Sequence, residues 1–204
     1  VRSLIMTGAE KLAGWSNTST QPLHPYQGAG ELRVNRTYDV LMAGETTVGA
    51  VSDSRGWDLG VGAVGVQYYF VDNSYGEGRL SVTLAWNRVT GDPSDPTGAD
   101  RTDAANFTLL SGATVLAASA LADLNLEVLT TDGVSTSLTS LAVSQSTVDN
   151  VEHIYLTGLA PGRYAIGVSG GSGTLYGFSF NFVPEVPVGW PLGLGAVVMM
   201  GWVV

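Results

Sequence analysis

The stretch Leu80-Ser-Val-Thr-Leu-Ala-Trp-Asn87 decides the fold class, because apolar residues alternate along it with small or polar ones. A period of two puts every second residue from Leu80 to Trp86 on one face of a β-strand, where it can enter a core. Similar runs lie between clusters of Gly, Asp, Asn and Pro, which favour turns. Together they predict eight strands, at 62–71, 79–87, 106–110, 122–130, 138–144, 151–156, 162–169 and 175–182.

These strands predict a mainly β protein. They are short and evenly spaced, and no long helical pattern lies between them, which argues against an α/β enzyme core. We therefore expect residues 56–183 to form an antiparallel two-sheet β-sandwich of the jelly-roll kind. Strands that follow one another in the chain are expected mostly to be neighbours in a sheet.

Residues 1–44 have a different pattern, typical of a short α/β segment. Apolar residues recur at helical spacing from Val1 to Leu12, and glycine and proline residues follow them. Residues 45–55 are expected to form a linker to the sandwich. The predicted order is a helix at 1–12, a loop through Pro22 and Pro25, a strand at 31–34, and a helix at 36–43 that is capped by Asn35 and ended by Gly44.

Residues 184–204 form a proline-containing hinge followed by an apolar tail. The 19 residues from Val186 to Val204 include no charged or amide side chain. As a helix they would span about 28 Å, close to the ~30 Å thickness of a hydrocarbon core. The tail therefore predicts a C-terminal apolar helix that inserts in a membrane, and a buried core helix or strand is the competing interpretation.

The composition argues against several functions. Nine Lys and Arg stand against 18 Asp and Glu, a formal net charge of −9, so the chain lacks the basic patch that nucleic-acid binding needs. The absence of cysteine removes disulfides, thiolate metal sites and cysteine nucleophiles. Two histidines, His24 and His153, are too few for a histidine-rich metal centre.

No catalytic or cofactor-binding residue is assigned from the sequence. Neither histidine is accompanied by the Gly-x-Ser-x-Gly turn that exposes a serine nucleophile, so we expect no peptidase activity from this chain by itself. The segment Gly60-Val-Gly-Ala-Val-Gly65 has the spacing of a dinucleotide-binding loop. However, it leads into an expected strand rather than a helix, which favours glycines packed against a neighbouring backbone.

Two groups of side chains leave ligand binding open. Four carboxylates in the loop 92–103, and Asp123, Asn125 and Glu127 on one strand face, could supply oxygen ligands to Ca²⁺. Their spacing matches no calcium loop, so a solvated loop and an ordinary polar face are the alternatives, and no metal ligand is assigned. Several aromatic residues could stack on sugars or fill the core: Trp15, Trp57, Trp86, Tyr68, Tyr69, Tyr155, Tyr164 and Tyr176.

Two stretches near the start resemble the end of a subtilisin-like serine peptidase domain. They are Val1-Arg-Ser-Leu-Ile-Met-Thr-Gly-Ala9 and Gly28-Ala-Gly-Glu-Leu-Arg-Val-Asn-Arg-Thr-Tyr-Asp-Val-Leu41. In that family a helix precedes a Gly-x-Gly strand and a small closing helix. The resemblance implies that the catalytic Asp, His and Ser lie upstream of Val1. It also implies that residues 1–44, cut from a larger domain, pack poorly against the sandwich.

Four blocks are similar to the pre-peptidase C-terminal and proprotein-convertase-type β-sandwich of secreted bacterial peptidases. Their order carries the similarity: a strand ending in Trp, an Asp-Leu-Asn-Leu strand, an Asp-Asn-Val-Glu turn and a Leu-Ala-Pro-Gly-Arg-Tyr strand entry. The blocks are Leu80–Asn87, Leu121–Val128, Ser146–Leu156 and Leu159–Val168.

The segment Val183-Pro-Glu-Val-Pro187 before the apolar tail resembles a PEP-CTERM sorting signal, which implies a membrane and an exosortase-type sorting protease as partners. The candidate sorting residues are Pro184, Glu185, Val186 and Pro187. The segment departs from the family's pattern because Val186 replaces the second Pro and a basic end is absent.

The three resemblances imply an extracytoplasmic accessory region, non-catalytic by itself, that stabilises or targets a secreted subtilisin-like peptidase and anchors it to the cell envelope. A free-standing carbohydrate- or protein-binding sandwich at the cell surface is the alternative. An enzyme complete in itself is a further alternative.

Overall fold

The computed structural model describes residues 1–73, 77–87, 121–131 and 138–184. Within these ranges lie two α-helices, Arg2–Gly8 (α1) and Val34–Met42 (α2). The same ranges contain nine β-strands, which follow the helices in the chain: Val51–Ser52 (β1), Arg55–Val61 (β2), Val66–Asn73 (β3), Gly78–Trp86 (β4), Leu124–Thr131 (β5), Leu138–Ser144 (β6), Val151–Leu159 (β7), Gly162–Gly170 (β8) and Leu175–Pro184 (β9).

The strands form two sheets that enclose one core. The five-stranded sheet has the order β1-β3-β8-β5-β6 and the four-stranded sheet the order β2-β9-β4-β7. Each strand pair is antiparallel except the short pair of β1 and β3. The prediction of a mainly β, two-sheet sandwich is therefore confirmed.

The expected order of the strands within the sheets is wrong. Among the described strands, β5 and β6 are the one consecutive pair that lies side by side. The chain instead passes to the opposite sheet after most strands, as it does from β7 to β8 and from β8 to β9. Each sheet therefore combines strands from distant parts of the chain, and both sheets contribute apolar residues to the core.

The alternating stretch that predicts the fold behaves as expected. It forms β4, and Leu80, Val82 and Leu84 are fully buried between the sheets. The neighbouring strand β9 adds a row of aromatic rings, of which Phe178 stacks on Tyr69 of the opposite sheet with ring centroids 4.2 Å apart. The core comprises Tyr69, Val71, Leu80, Val82, Leu84, Trp86, Leu124, Leu126, Val128, Ile154, Leu159, Tyr164, Ile166, Val168, Tyr176, Phe178, Phe180 and Phe182.

The predicted strand boundaries need correction near the glycine-rich segment. The expected strand at 62–71 is replaced by β3 at Val66–Asn73, and the preceding residues form β2, which the sequence did not predict. Gly65 turns the chain between them with a positive φ of 96°, a conformation that glycine adopts without strain. The expected strand at 106–110 and the apolar tail 186–204 lie outside the described residues.

The N-terminal elements differ from their predicted bounds. Helix α1 ends at Gly8 rather than at residue 12, because the backbone of Glu10 pairs with Glu31 through hydrogen bonds of 2.9 and 2.8 Å. This bridge replaces the expected strand at 31–34. Helix α2 begins at Val34, so Asn35 lies inside it and does not cap it, whereas Gly44 follows its end as expected.

Residues 45–55, expected as a linker, contain β1 and the first residue of β2. The expectation that residues 1–44 pack poorly against the sandwich is wrong, because α1 lies across β4 and β9 of the four-stranded sheet. Thr7 is buried there against Thr83 and Ser179. Small polar side chains on both surfaces allow this close, hydrogen-bonded contact.

Candidate functional site

The outer face of the four-stranded sheet is polar, and the N-terminal segment covers it. Apolar side chains of β4 and β9 point into the core, so the alternate residues point outward. They lie in register across the strands: Trp57, Ser179, Thr83 and His153 form one row, and Arg55, Asn181, Ser81 and Tyr155 form the next.

His153 lies at the centre of a buried hydroxyl network. Its Nδ1 is 2.8 Å from the Thr83 hydroxyl, which is 2.8 Å from the Thr7 hydroxyl of α1. Thr7 is in turn 2.8 Å from the hydroxyl of Ser179. Burial, with a smaller contribution from the charge of Lys11, holds the pKa of His153 well below its usual value. The imidazole is therefore neutral and structural.

The two histidines lie in different surroundings. His153 has no solvent-exposed surface, so no substrate can reach it in this arrangement. His24 lies in the loop between the helices, where its Nδ1 accepts backbone hydrogen bonds from Tyr26 and Gln27 at 3.2 and 3.1 Å. This side chain stabilises a turn.

A cluster of a lysine and two aromatic rings lies beside this network. Nζ of Lys11 is 4.7 Å from the ring centre of Trp15 and 5.3 Å from that of Tyr155, and it donates a hydrogen bond of 2.5 Å to Ala29 O. Burial lowers the pKa of Lys11 to about 7, although Glu10 beside it acts in the opposite direction. The rings of Trp15 and Tyr155 are inclined at 79°, so they offer no flat platform for a sugar.

Loop residues around Trp15 also protect the edge of the sandwich. Asn17 donates a hydrogen bond of 3.1 Å to the carbonyl oxygen of His153 on the edge strand β7. The carbonyl oxygen of Ser19 accepts a bond of 2.6 Å from the backbone of Gln145, which follows β6. The N-terminal segment therefore contacts both sheets.

Helix α2 carries an apolar stripe that faces away from the sandwich. Val40 is its one buried residue, while four apolar side chains at helical spacing are 45–68% exposed. A stripe of this spacing normally packs against another protein element. We call Val34, Tyr38, Leu41 and Met42 the α2 stripe. Their spacing of i, i+4, i+7 and i+8 is visible in the sequence, and it could have identified this surface.

The side of α2 opposite the stripe is held against strand β2 by two polar contacts. The indole of Trp57 donates a hydrogen bond of 3.0 Å to the carbonyl oxygen of Leu41, and Arg55 lies 3.5 Å from Asp39. These contacts hold the helix with its stripe outward.

The glycine motif at 60–65 packs as its alternative interpretation predicts. A Cβ on Gly60 would lie 2.4 Å from the ring of Tyr176, and one on Gly62 would lie 2.2 Å from Gly171 O. The first glycine makes room for a core tyrosine, and the second permits close approach of two backbones. No helix follows the motif, and it makes no phosphate cradle.

The remaining candidate residues form no metal centre within the part of the chain that the structure describes. The loop 92–103 lies outside the described residues, as do Glu185, Val186 and Pro187 of the sorting signal, while Pro184 ends β9. Asp123, Asn125 and Glu127 lie at β5 on the outer face of the five-stranded sheet. In the described part of the chain, no three His, Cys, Asp or Glu side chains are grouped to hold a metal ion.

The aromatic residues divide between core and surface. Tyr69, Trp86, Tyr164 and Tyr176 are buried, whereas Trp15, Trp57, Tyr68 and Tyr155 are partly exposed. The described helices include none that is long and apolar enough to cross a membrane.

Comparisons with known proteins find similarity among solved structures. No protein-family model and no curated protein matches the sequence. One similar solved structure is a carbohydrate-binding module, TmCBM61 in complex with β-1,4-galactotriose. The similarity covers 59% of this chain and 62% of the module's chain, at 13% identity and a TM-score of 0.30. The match therefore spans less than two thirds of that module.

A protein from Sulfurospirillum deleyianum is similar to 66% of this chain over its full length, at 8% identity and a TM-score of 0.35. Likeness at this level bears on neither ligand nor activity.

Proposed function

We propose that this chain is the non-catalytic accessory and anchoring region of a secreted, subtilisin-like serine peptidase. In this proposal α1 and α2 are the last helices of the peptidase domain, and the sandwich is the appended module. The exposed α2 stripe is the observation that carries it, because a closing helix of a larger domain would have its apolar face covered by that domain.

The local geometry around Gly30 supports the same interpretation. Gly30 has a φ of 113°, and a Cβ at this position would lie 2.2 Å from the carbonyl oxygen of Glu10. Glycine is thus needed where the chain passes α1 and enters the bridge before α2. The order of helix, glycine turn and closing helix is the one that the resemblance implies, although a single bridge between Glu10 and Glu31 stands where it implies a strand.

Contacts between α1 and the sheet support the accessory role in this proposal. The buried hydroxyls of Thr7, Thr83 and Ser179 join α1 to the sheet, so the sandwich would stabilise the end of the peptidase domain directly. The catalytic triad would lie upstream of Val1, and neither His24 nor His153 would take part in hydrolysis.

The test compares this chain with the gene product that includes the residues encoded upstream of Val1. A fluorophosphonate probe should label a serine in the longer product and leave residues 1–204 unlabelled, and casein should be cleaved by the longer product alone. Labelling of a serine within residues 1–204 that is abolished by His24→Ala or His153→Ala would contradict the proposal. The same result would support an enzyme complete in itself.

The anchoring role is tested separately on the tail. The sorting residues Pro184–Pro187 and the apolar residues 186–204 would hold the protein at the outer side of a membrane, because an uncharged stretch of this length inserts favourably. Deletion of residues 189–204 should move the protein from the membrane fraction to the soluble fraction. Equal partitioning of the two forms would show that the tail is not an anchor.

A further inference from the structure

Lys11 is the one lysine in the sequence, and the proposed accessory role leaves its amine unused. It follows α1, and the residue is partly exposed. A lysine on a protein surface normally lays its stem along apolar groups and keeps its ammonium group in water. Lys11 instead places the amine itself against two aromatic rings, one from the N-terminal segment and one from β7.

The two rings and one carbonyl group surround the amine. Nζ lies 4.7 Å from the ring centre of Trp15 and 5.3 Å from that of Tyr155. It also donates a hydrogen bond of 2.5 Å to Ala29 O. An uncharged amine can donate the same bond, and its lone pair then remains available for reaction.

No carboxylate pairs with this amine in the part of the chain that the structure describes. The carboxylate of Glu10, the preceding residue, is held by the guanidinium groups of Arg36 and Arg79, the latter at 3.4 Å. The ring of His153, which contacts Trp15, is neutral. A positive charge at Nζ is therefore partly desolvated without an ion pair to offset the cost.

These surroundings make the amine reactive at neutral pH. Burial lowers the pKa of Lys11 to about 7, and the charge of Glu10 opposes this shift only in part. About half of the molecules therefore carry an uncharged amine at pH 7. An uncharged lysine amine is a nucleophile that attacks carbonyl groups.

The contacts of the amine distinguish electrophiles by the charge of the product. Carbon dioxide would give an anionic carbamate, which the negative ring faces and the oxygen of Ala29 disfavour. An acyl donor would give a neutral amide, which loses the attraction between a cation and the rings. An aldehyde gives an iminium ion, which keeps the positive charge beside the rings and an N–H group for Ala29 O.

We propose that Lys11 is a covalent binding site for a small aldehyde of two or three carbons, held as an iminium ion beside Trp15 and Tyr155. The rings flank the amine and crowd a bulkier reagent. Every group of the site belongs to this chain, so the proposal is independent of the peptidase role.

The reaction needs only the aldehyde and water. The lone pair of Nζ forms a bond to the carbonyl carbon, and a proton passes from the nitrogen to the carbonyl oxygen. The C–O bond then breaks, and water leaves after the oxygen takes a further proton from solvent. The nitrogen supplies the electron pair of the new C=N bond and becomes the positively charged iminium nitrogen.

The test is reductive trapping on the chain of 204 residues. Glycolaldehyde with sodium cyanoborohydride at pH 7 converts the iminium to a stable secondary amine, and peptide mass spectrometry locates the label. Lys11 should react more than about tenfold faster in the folded chain than in the chain unfolded in guanidinium chloride, because unfolding returns its pKa to about 10.5.

Leu175→Lys places an exposed lysine in the same molecule and provides the internal control. The introduced lysine should react more than about tenfold more slowly than Lys11 at pH 7, and its rate should rise steadily up to about pH 10. The rate at Lys11 should level off above about pH 8, where its amine is already uncharged. Lys11→Arg keeps the positive charge without a nucleophilic amine and should abolish the label at this position.

Acetyl phosphate tests the choice of electrophile. The ratio of labelling at Lys11 to labelling at the introduced lysine should be at least about threefold larger for glycolaldehyde than for acetyl phosphate, because only the iminium keeps its charge beside the rings. Three results would overturn the proposal. They are equal rates at Lys11 in the folded and unfolded chains, labelling of the amino terminus and the introduced lysine without Lys11, and a ratio for acetyl phosphate that equals or exceeds that for glycolaldehyde.

Discussion

The hydroxyl of Thr7 in α1 lies 2.8 Å from the hydroxyl of Thr83 in β4, and both side chains are buried. This contact joins residues 76 positions apart in the chain, so it connects the N-terminal segment to the sandwich. Thr83 also contacts His153 Nδ1, and Thr7 contacts Ser179, so one hydroxyl pair links three strands to a helix.

Replacing Thr7 with valine should destabilise the whole protein. The substitution keeps the shape of the side chain and removes its hydroxyl. The buried hydroxyls of Thr83 and Ser179 then each lose one hydrogen-bond partner. We expect the free energy of unfolding to fall by about 1–3 kcal/mol, measured by urea denaturation. Thr20→Val alters an exposed threonine and serves as the control. Equal stabilities of the two variants would mean that the network contributes nothing.

The sequence predicts the two-sheet class because its signal is local. In β4 and β9 every second residue is apolar, and the apolar face of such a strand must pack against a second layer. Without a long helical pattern between the strands, that layer is predicted to be another sheet. The boundaries of β6, Leu138–Ser144, agree with the predicted ones for the same reason. Strand order is not local, because it depends on which sheet each turn enters.

The contact between α1 and the sandwich could not be predicted from apolar patterning. Thr7, Ser81, Thr83 and Ser179 have the composition of a solvated surface, yet they are buried because they satisfy one another or lie beneath the helix. Glu152 and His153 are consecutive residues of β7 that point to opposite faces of the sheet, and both are buried. Apolar patterning does not predict the burial of either one. Only long-range pairing explains these positions.

Gly60 should be replaceable only at a high cost in stability. In Gly60→Ala the new methyl group would lie 2.4 Å from the hydroxyl end of Tyr176, which is buried in the core and cannot move freely. Overpacking of this kind costs about 1–3 kcal/mol.

Gly177→Ala in β9 is the matched control. Its Cβ would meet Ser3 Oγ at 3.2 Å, the end of a short side chain that can rotate away. We expect a clearly lower thermal unfolding temperature for Gly60→Ala than for Gly177→Ala. A larger loss for Gly177→Ala would contradict the packing argument.

On the acidic side of neutral pH, two buried groups should change the stability of the protein in opposite directions. Burial raises the pKa of Glu152 from 4.5 to about 7, although Ser144 and the backbone of Ser146 donate hydrogen bonds to its carboxylate. Between these values the folded state binds more protons at Glu152 than the unfolded state, so this group makes stability fall as the pH rises. The pKa of His153 is held well below 6.5, so up to that pH the unfolded state binds more protons at this ring, and its contribution makes stability rise with pH.

On the alkaline side the pKa of Lys11 determines how stability changes with pH. Burial lowers the pKa of Lys11 from 10.5 to about 7, so between pH 7 and 10.5 the unfolded state binds more protons and stability rises with pH. Chemical denaturation from pH 5 to pH 10 measures both limbs. Glu152→Gln should leave the opposing contribution of His153 alone, so its stability should rise with pH up to 6.5, and Lys11→Met should flatten the alkaline limb. A limb that is unchanged in its variant would show that another group causes it.

The α2 stripe should matter only when a peptidase domain is present. Tyr38 and Met42 are 58% and 64% exposed in this chain. Tyr38→Lys and Met42→Lys should therefore change the unfolding free energy of residues 1–204 by no more than about 0.5 kcal/mol. In the gene product extended upstream of Val1, the same side chains would be covered, and each substitution should cost about 1.5–3 kcal/mol.

Val64→Lys and Leu175→Lys are the controls, since both residues are exposed on the sandwich and far from α2 in the chain. They should be neutral in both forms, and thermal unfolding of the four variants in each form gives the comparison. If the stripe variants are neutral in the extended protein as well, the stripe is not covered by an upstream domain, and the principal support for the accessory role is lost.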